Sequence, residues 1–370
     1  MEPHGQRYRG GLQDRDSQMT AVRFEGGALR VGIIGTGWVA TQRHIPVFKK
    51  DRRVSVQAVM DPDLTKAASV AERFGIPESY SVSEELLAKS LDIISICAPP
   101  QAHASLIEDA LRAGSNVFVE KPMTMSVSEG KFLESLASEK KLVLCPSHNF
   151  LFARSMERIK GLMAKGTFGE VRWALGIQTS SWRRRLPTWY QDLPAGLFFD
   201  EAPHLLYLMQ YFLGDLQIDN SWRETLIPGD AVQDRIEVRV RGEHAGGHLS
   251  VWFGAPTSEW LLVVFCKNGT LIVDLFRDLL VHLPLERNHG PRDVVGSVLR
   301  ASLQAWGGIA ASGARYLRGR QFYGHDLLVE RLIDSLISGS DPPISAREGW
   351  KVVGLIEDII VGSDRCDEKK

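Results

Sequence analysis

The chain has 370 residues, 44% hydrophobic and 24% charged, a mixture that excludes a disordered or collagen-like polymer and leaves room for about two domains. Lys and Arg number 44 against 45 Asp and Glu, so the formal net charge is −1. No bulk electrostatic pull draws the chain as a whole to nucleic acid or to anionic lipid. The four cysteines, Cys97, Cys145, Cys266 and Cys366, show no CxxC spacing. They imply neither a zinc knuckle nor a disulfide framework, and fit a reducing, cytoplasmic setting with no metal site. No apolar run approaches the ~18 residues of a membrane span. Residues 1–28, rich in Gly, Arg, Asp and Gln, lack the apolar core of a signal peptide and read as a flexible leader, with Met19 an alternative start.

The first half alternates strands and helices. Leu29–Ile34 is a short apolar strand, followed by a helical stretch to about Lys50. Val54–Met60 is a second strand, and Thr65–Phe74 is a helix stopped by Gly75. Asp92–Ala98 is a strand that runs into Pro99-Pro100, and Ala102–Ala113 is a helix closed by Gly114. Asn116–Val119, a helix over Ser126–Lys140 and a strand over Leu142–Pro146 complete the series. Apolar strands alternating with helices predict a doubly wound parallel sheet over residues 29–150.

After about residue 150 the pattern changes. Helices are predicted over Phe152–Lys165 and Asp200–Phe212. In Val232–Val240 apolar and charged residues alternate, and Leu249, Val251 and Phe253 alternate next. Trp260–Cys266 and Thr270–Leu275 flank Asn268-Gly269, a hairpin turn signal. These strands predict an α+β domain over residues 151–366, with a large, open, mostly antiparallel sheet for substrate and for self-association.

Gly35-Thr36-Gly37-Trp38-Val39-Ala40 lies where a strand meets a helix. Gly35 permits a tight turn, Gly37 lets backbone approach a pyrophosphate, and Ala40 lets helix and strand pack closely. A bare glycine turn would share the pattern, but the strand before and the helix after favour a dinucleotide site. Asp61 ends the second strand, where a carboxylate can accept the ribose diol of NAD and repel the 2′-phosphate of NADP. Its bland reading is a turn residue before Pro62.

Leu91–Met125 reads LDIISICAPPQAHASLIEDALRAGSNVFVEKPMTM. With the glycine loop, the Pro99…His103 segment, Glu120-Lys121-Pro122, Phe168–Val171 and Ala195–Asp200…His204, it resembles the glucose–fructose oxidoreductase / inositol dehydrogenase / MocA family. The resemblance covers roughly residues 29–280 and resumes near Gly324–Ser363. It implies a Rossmann domain followed by an open-sheet domain, with Lys121 as a substrate and nicotinamide contact. Asp200 and His204 stand four apart on a predicted helix. An imidazole suits proton exchange at neutral pH, so Lys121, Asp200 and His204 are the candidate catalytic residues. The alternatives are a solvated lysine, a capping aspartate and a core histidine.

Two departures from the family pattern stand out. Pro194-Ala195-Gly196 replaces a glycine triplet, and Tyr207 stands where an Asp often follows the His; both read as substrate-side changes. Ala98, Pro99, His103 and Glu120 join the candidate cofactor contacts, with Glu120 in a supporting role. Asn149, Trp182 and Arg183 join the substrate contacts, and the run on to Arg184 and Arg185 could hold a diphosphate.

Residues 287–320 read as a helical insertion with six arginines against one acid, Asp293. A packed arm leads among its readings, ahead of an oligomer contact, a lid or a membrane-surface helix, which Gly307-Gly308 and Gly313 weaken.

The expected function is hydride transfer between NAD, ahead of NADP, and a secondary alcohol or ketone of a nucleotide sugar or hexose derivative. A cyclitol dehydrogenase, an NAD-using glycosidase and a non-enzymatic dinucleotide sensor are the alternatives. Expected partners are a small carbohydrate and further copies of the chain, as homodimer or homotetramer.

Overall fold

A computed structural model describes residues 27–183, 188–225, 234–286, 288, 290–319 and 323–367. The leader up to residue 26 with Met19, and Arg184, Arg185, Val232, Arg287 and Arg320, lie outside the described residues. Two compact units emerge, one holding residues 27–149 together with Gly324–Gly354, the other Phe150–Tyr323 and residues 355–367.

In the first unit β1 (Leu29–Ile34), β2 (Val54–Met60), β3 (Glu78–Tyr80), β4 (Ile93–Ile96), β5 (Asn116–Val119) and β6 (Leu144–Pro146) form a wholly parallel sheet in the order β3-β2-β1-β4-β5-β6. The helices between them are α1 (Ile45–Phe48), α2 (Leu64–Phe74), α3 (Ser83–Leu87), α4 (His103–Arg112) and α5 (Val127–Lys140). Every residue of β4 and β5 is buried, which is why they read as unbroken apolar runs rather than alternations. Local signals set the helix ends. The Asp63 side chain accepts from Lys66 N, Gly75 closes α2 in the left-handed conformation, and Ser126 and Glu129 form a capping box on α5. Strand order reverses between β1 and β4, and at such a switch point open α/β sheets bind ligands beyond the carboxyl ends of the strands. Between β2 and β4, the elements β3 and α3 escaped the sequence reading. The three residues of β3 are only half-buried, and α3 has five residues, too short for a helical period to show.

The second unit contains α6 (Arg154–Ala164), β7 (Val171–Ser181), α7 (Leu197–Glu201), α8 (Pro203–Leu213), β8 (Gln217–Thr225), β9 (Asp234–Arg241), β10 (Gly246–Ala255), β11 (Glu259–Cys266), β12 (Gly269–Asp274), β13 (Leu279–Pro284) and α9 (Pro291–Leu317). Its seven strands run β13-β12-β11-β7-β10-β9-β8, and β7 with β10 is the parallel pair in an otherwise antiparallel sheet. The alternating residues Ile236, Val238, Val240, Leu249, Val251 and Phe253 are all buried on one face. Asn268-Gly269 makes the hairpin between β11 and β12.

The central strand β7 was not foreseen, because its buried positions include Gly176, Gln178 and Ser180 and break the hydrophobic alternation. Gly176 instead admits α8, with Leu205 and Met209 both 3.5 Å from where its Cβ would lie. The helix expected over Asp200–Phe212 is two helices, α7 and α8, which meet at Ala202 with Pro203 in the first turn of α8.

The segment that the sequence suggested as a helical insertion contains the 27-residue α9, which lies along the outer strand β13. His282 N donates to Gln304 Oε1 at 2.9 Å, and Gln304 Nε2 donates to the His282 carbonyl at 3.0 Å. Helix α9 thereby satisfies and covers an open sheet edge.

The chain then returns: α10 (His325–Ser338) and the start of α11 (Ala346–Asp367), up to Gly354, belong to the first unit. The expected second domain, drawn as 151–366, therefore has residues 324–354 taken out of it. Trp350 of α11 anchors that return. Its indole Nε1 donates to Glu134 at 2.7 Å, and its Cβ lies 2.3 Å from where a Cβ on Gly130 would stand.

Two effects compete in Gly130→Ala. Alanine improves helix propensity by about 1 kcal/mol. The clash falls on a Cβ rather than on a flexible tip, and overpacking costs about 1–3 kcal/mol. We expect net destabilisation, read as a lower urea midpoint, and a stabilised variant would show that Trp350 does not pack on α5.

Candidate active site

The glycine loop follows β1. Gly35 has φ +88°, and a Cβ there would lie 2.7 Å from the Cys97 carbonyl oxygen. Gly37 differs: its φ is ordinary, and a Cβ would have no neighbour within 4 Å. Gly35 is thus required by the turn itself, whereas Gly37 keeps open a cradle that a side chain would fill. Ala40 is fully buried behind the loop, Trp38 is exposed with Arg43 stacked at 4.7 Å, and Val39 leads into a π-helical turn, Ala40–His44.

Asp61, at the end of β2, holds this loop. Its Oδ2 accepts from Thr36 N at 3.0 Å, Thr36 Oγ1 at 2.7 Å and Lys66 Nζ at 2.7 Å, and its Oδ1 accepts from Asp63 N at 3.2 Å. Burial pushes its pKa up, but the bonds from Lys66 and Thr36 outweigh that and leave it below the ordinary value. The carboxylate is charged, and Oδ1 retains acceptor capacity.

Beyond β5, Glu120-Lys121-Pro122 carries a cis peptide before Pro122. The Glu120 carboxylate is turned into the protein, where His44 Nε2 lies 2.8 Å and His325 Nε2 3.5 Å from its Oε1. Burial alone would raise the Glu120 pKa; the bonds from His325 and His44 hold it well below the carboxylate range. His44 Nδ1 lies 2.7 Å from Ser95 Oγ, and burial lowers the His44 pKa. A neutral His44 that donates from Nε2 to Glu120 and accepts at Nδ1 from Ser95 satisfies every partner. His44, Glu120 and His325 are also a donor set that could hold a cation, with ligand atoms all within 4.8 Å. The 2.8 Å contact is already a normal charge-assisted hydrogen bond.

His103 is fully buried. Its ring nitrogens lie 2.8 Å from the Pro122 carbonyl and 2.9 Å from that of Ala98, so it braces the Lys121-Pro122 turn against the Ala98-Pro99 segment. Lys121 itself is half-buried.

In the second unit Asp200 is on α7 and His204 in the first turn of α8. Ala195 has φ +53° and Gly196 φ +56° just ahead of α7. The first costs a non-glycine residue about 1–2 kcal/mol, so the backbone here favours glycine at the position Ala195 occupies. Tyr207, which its sequence position suggested as a substrate-side change, is a direct neighbour of the imidazole. It is buried, its Oη lies 2.8 Å from His204 Nδ1, and it accepts from Phe150 N at 3.2 Å. A neutral phenol thus orients the imidazole.

The rings of Phe150 and Trp260 stand 5.0 Å and 4.9 Å from that of His204. Two residues here went unnoticed in the sequence. Glu201 is buried and accepts from Gln178 Nε2 at 2.7 Å and Ser180 Oγ at 3.0 Å, which ties α7 to β7. Trp260 Nε1 is buried with no acceptor among the described residues. The only earlier sign of Glu201 was a charge within an apolar run, and Trp260 read simply as strand core. Asn149 is buried at the end of the first unit, whereas Trp182 is exposed with Arg183 stacked on it at 4.7 Å.

Residues 29–148 match the model of the oxidoreductase family's NAD-binding Rossmann fold, and residues 156–272 match the C-terminal domain of the same GFO/IDH/MocA family. The chain belongs to this family. It is an oxidoreductase with an NAD-binding Rossmann unit. Among relatives, the dTDP-3,4-didehydro-2,6-dideoxy-alpha-D-glucose 3-reductase of Streptomyces violaceoruber is 29% identical over 81% of this chain and 88% of its own. D-glucoside 3-dehydrogenase of Escherichia coli is 29% identical over 50% of this chain and 54% of its own. Among solved structures, the WlbA dehydrogenase of Bordetella pertussis in complex with NADH and UDP-GlcNAcA has a TM-score of 0.75 at 18% identity, covering 92% of this chain and 96% of its own. Levoglucosan dehydrogenase in complex with NADH has a TM-score of 0.76 at 17% identity, covering 91% and 97%. At these identities the structures share the fold.

The two loop glycines separate structure from binding. Gly35→Ala should lower the urea midpoint clearly, whereas Gly37→Ala should leave it unchanged and weaken NADH binding in a fluorescence titration. Equal NADH affinity in Gly37→Ala would remove the loop from the cofactor site.

Buried histidines also set an acid limit. Burial pushes His148 down to about 3 and lowers His44. As pH falls below about 6.5 the unfolded chain takes up protons that the folded chain refuses, at ~1.4 kcal/mol per pH unit per group. Glu120, held below its ordinary value, acts in the same direction below about pH 4.5. Urea midpoints should therefore drop steadily on acidification from about pH 6.5, and His148→Gln should show a slope smaller by about one proton. An identical slope would mean that His148 is not held neutral.

Proposed function

We propose that this chain transfers a hydride between NAD and a secondary alcohol or ketone of a sugar, with a nucleotide-linked hexose derivative as the substrate class. The observation that carries the reading is His204, an imidazole oriented by Tyr207 and walled by Phe150 and Trp260. The printed activities of the relatives and the sugar nucleotide bound in the WlbA structure support the class. The open cradle at Gly37 fits the cofactor: Gly35 to Ala40 would hold its pyrophosphate and Asp61 its ribose diol. Bound NAD accepts or returns the hydride.

The rest falls to side chains. Alcohol oxidation requires loss of the O–H proton, and ketone reduction its return; His204 is the group that takes or gives it. Lys121 stabilises negative charge developing on the reacting oxygen. Asp200 positions a neighbouring hydroxyl, and the Trp260 N–H supplies a donor for a sugar oxygen. Asn149 is a further substrate contact, and Trp182 with Arg183 offers an aromatic face and a cation for a nucleotide and its phosphates.

Self-association, as dimer or tetramer, belongs to the same reading. The sheet face opposite the buried one carries Leu175, Ile177, Trp252, Leu261, Val263 and Phe265, all partly exposed. Among the described residues no helix is long and apolar enough to cross a membrane. The free buried thiols Cys97 and Cys145 fit the reducing, cytoplasmic setting we assign.

A panel of dTDP- and UDP-hexoses, free hexoses, glycosides and inositols, followed by NADH absorbance, tests the substrate class. Turnover should be confined to nucleotide sugars. His204→Ala should lose about 10²–10⁴-fold in kcat with NADH affinity unchanged, and Tyr207→Phe about tenfold. Turnover restricted to inositols or glycosides would overturn the class, and near-normal kcat in His204→Ala would overturn the acid–base role.

A further inference from the structure

Helix α9 has two unlike sides. Gln304 and Gly308 face the sheet: Gln304 binds the His282 backbone, and a Cβ on Gly308 would lie 2.5 Å from Leu279. Gly307, Gly308 and Gly313, which argued against a long surface helix, do not interrupt it, and Gly308 is what lets it seat on the sheet. At about 100° per residue, Val295, Leu299, Leu303, Trp306, Tyr316 and Leu317 share an outward arc of roughly 140°. All are more than half exposed, Leu303 by 72%, Trp306 by 70% and Leu317 by 85%. The stripe runs for most of a helix about 40 Å long. It exposes several hundred Å², on the order of or above the largest apolar patch of an ordinary monomer.

Charge selects the occupant. Within and just after the helix stand Arg292, Arg300, Arg315 and Arg318 against one acid, Asp293. Arg300 and Arg318 occupy the shoulder between the outward stripe and the sheet-facing side, and both are exposed. A second copy laid on this face would set arginines against arginines with one acid per helix to offset them. An anionic lipid surface offers apolar depth for Leu303 and Trp306, and negative headgroups for the arginines. Trp306 and Tyr316 also carry the amphipathic rings that sit at headgroup level. A chain near neutrality overall thus carries a locally positive segment beside this apolar stripe.

We propose that the outward face of α9 docks the protein on an anionic membrane surface, with the helix lying in the interface plane.

Co-sedimentation of the full chain with vesicles of phosphatidylcholine alone, and of phosphatidylcholine mixed with phosphatidylglycerol, tests this. Binding should require phosphatidylglycerol and weaken as salt is raised. The double variant Leu303→Asp/Trp306→Asp should lose binding by about tenfold or more. Arg300→Glu/Arg318→Glu should lose the preference for phosphatidylglycerol. Both pairs are exposed, so NADH titration should match the parent and certify the fold. Absence of sedimentation with the mixed vesicles, or sedimentation unchanged in both variants, would overturn the proposal. So would light scattering that shows Leu303→Asp/Trp306→Asp splitting an oligomer in a protein that ignores vesicles, since the face would then join copies of the chain.

Discussion

A carboxylate that cannot reach water must be met by charge or by hydrogen bonds, and Glu120 is met by two histidines from distant parts of the chain. His44 comes from the turn after the glycine loop, and His325 opens α10 after the chain has passed through Phe150–Tyr323 of the second unit. Removing one partner from such a cluster leaves an uncompensated buried charge, which costs several kcal/mol. The requirement therefore ties the cofactor loop, the end of β5 and the returning segment 324–354 into one body. Lys121 is the next residue, so its backbone starts from one of the most constrained points in the fold. His103 holds the other side of the same turn through two main-chain carbonyls.

The second unit holds its histidine among aromatic rings and a phenol. His204 sits among Phe150, Tyr207 and Trp260, and the Tyr207 hydroxyl bridges it to the Phe150 backbone. A phenol fixes the ring as a carboxylate would but offers no charge to an imidazolium. The carboxylate that is buried nearby, Glu201, spends its acceptors on Gln178 and Ser180, and so seats α7 on β7. Orientation of the candidate base and anchoring of its helix are thus divided between two residues.

Helix α9 is attached without disturbing either arrangement. It attaches to the outer strand β13, where Gln304 completes the backbone hydrogen bonding of His282. Its outward side faces away from that attachment, so the apolar stripe is free to vary without cost to the sheet.

The parallel sheet was legible in the sequence because its strands are buried on both faces and its turns carry Gly and Pro, signals that are local. The glycine loop and Asp61 were picked out for the same reason, each lying at a strand end, whereas Lys121 and His204 were picked out through the family resemblance. Residues whose role depends on a distant partner were not. His44 and His325 look like isolated histidines until a fold brings both to Glu120, and nothing in the sequence shows that the Tyr207 hydroxyl reaches His204. Strand β7 was hidden because a glycine and two polar residues occupy its buried side, where α8 and Glu201 complete it. The sequence by itself determined the order of elements, the dinucleotide loop and the candidate chemistry, all of which rest on contacts between near neighbours. The partner of the buried carboxylate, the brace on the imidazole, the return of residues 324–354 and the exposed side of α9 were decided only by tertiary structure, because each is a relation between segments that the chain keeps far apart.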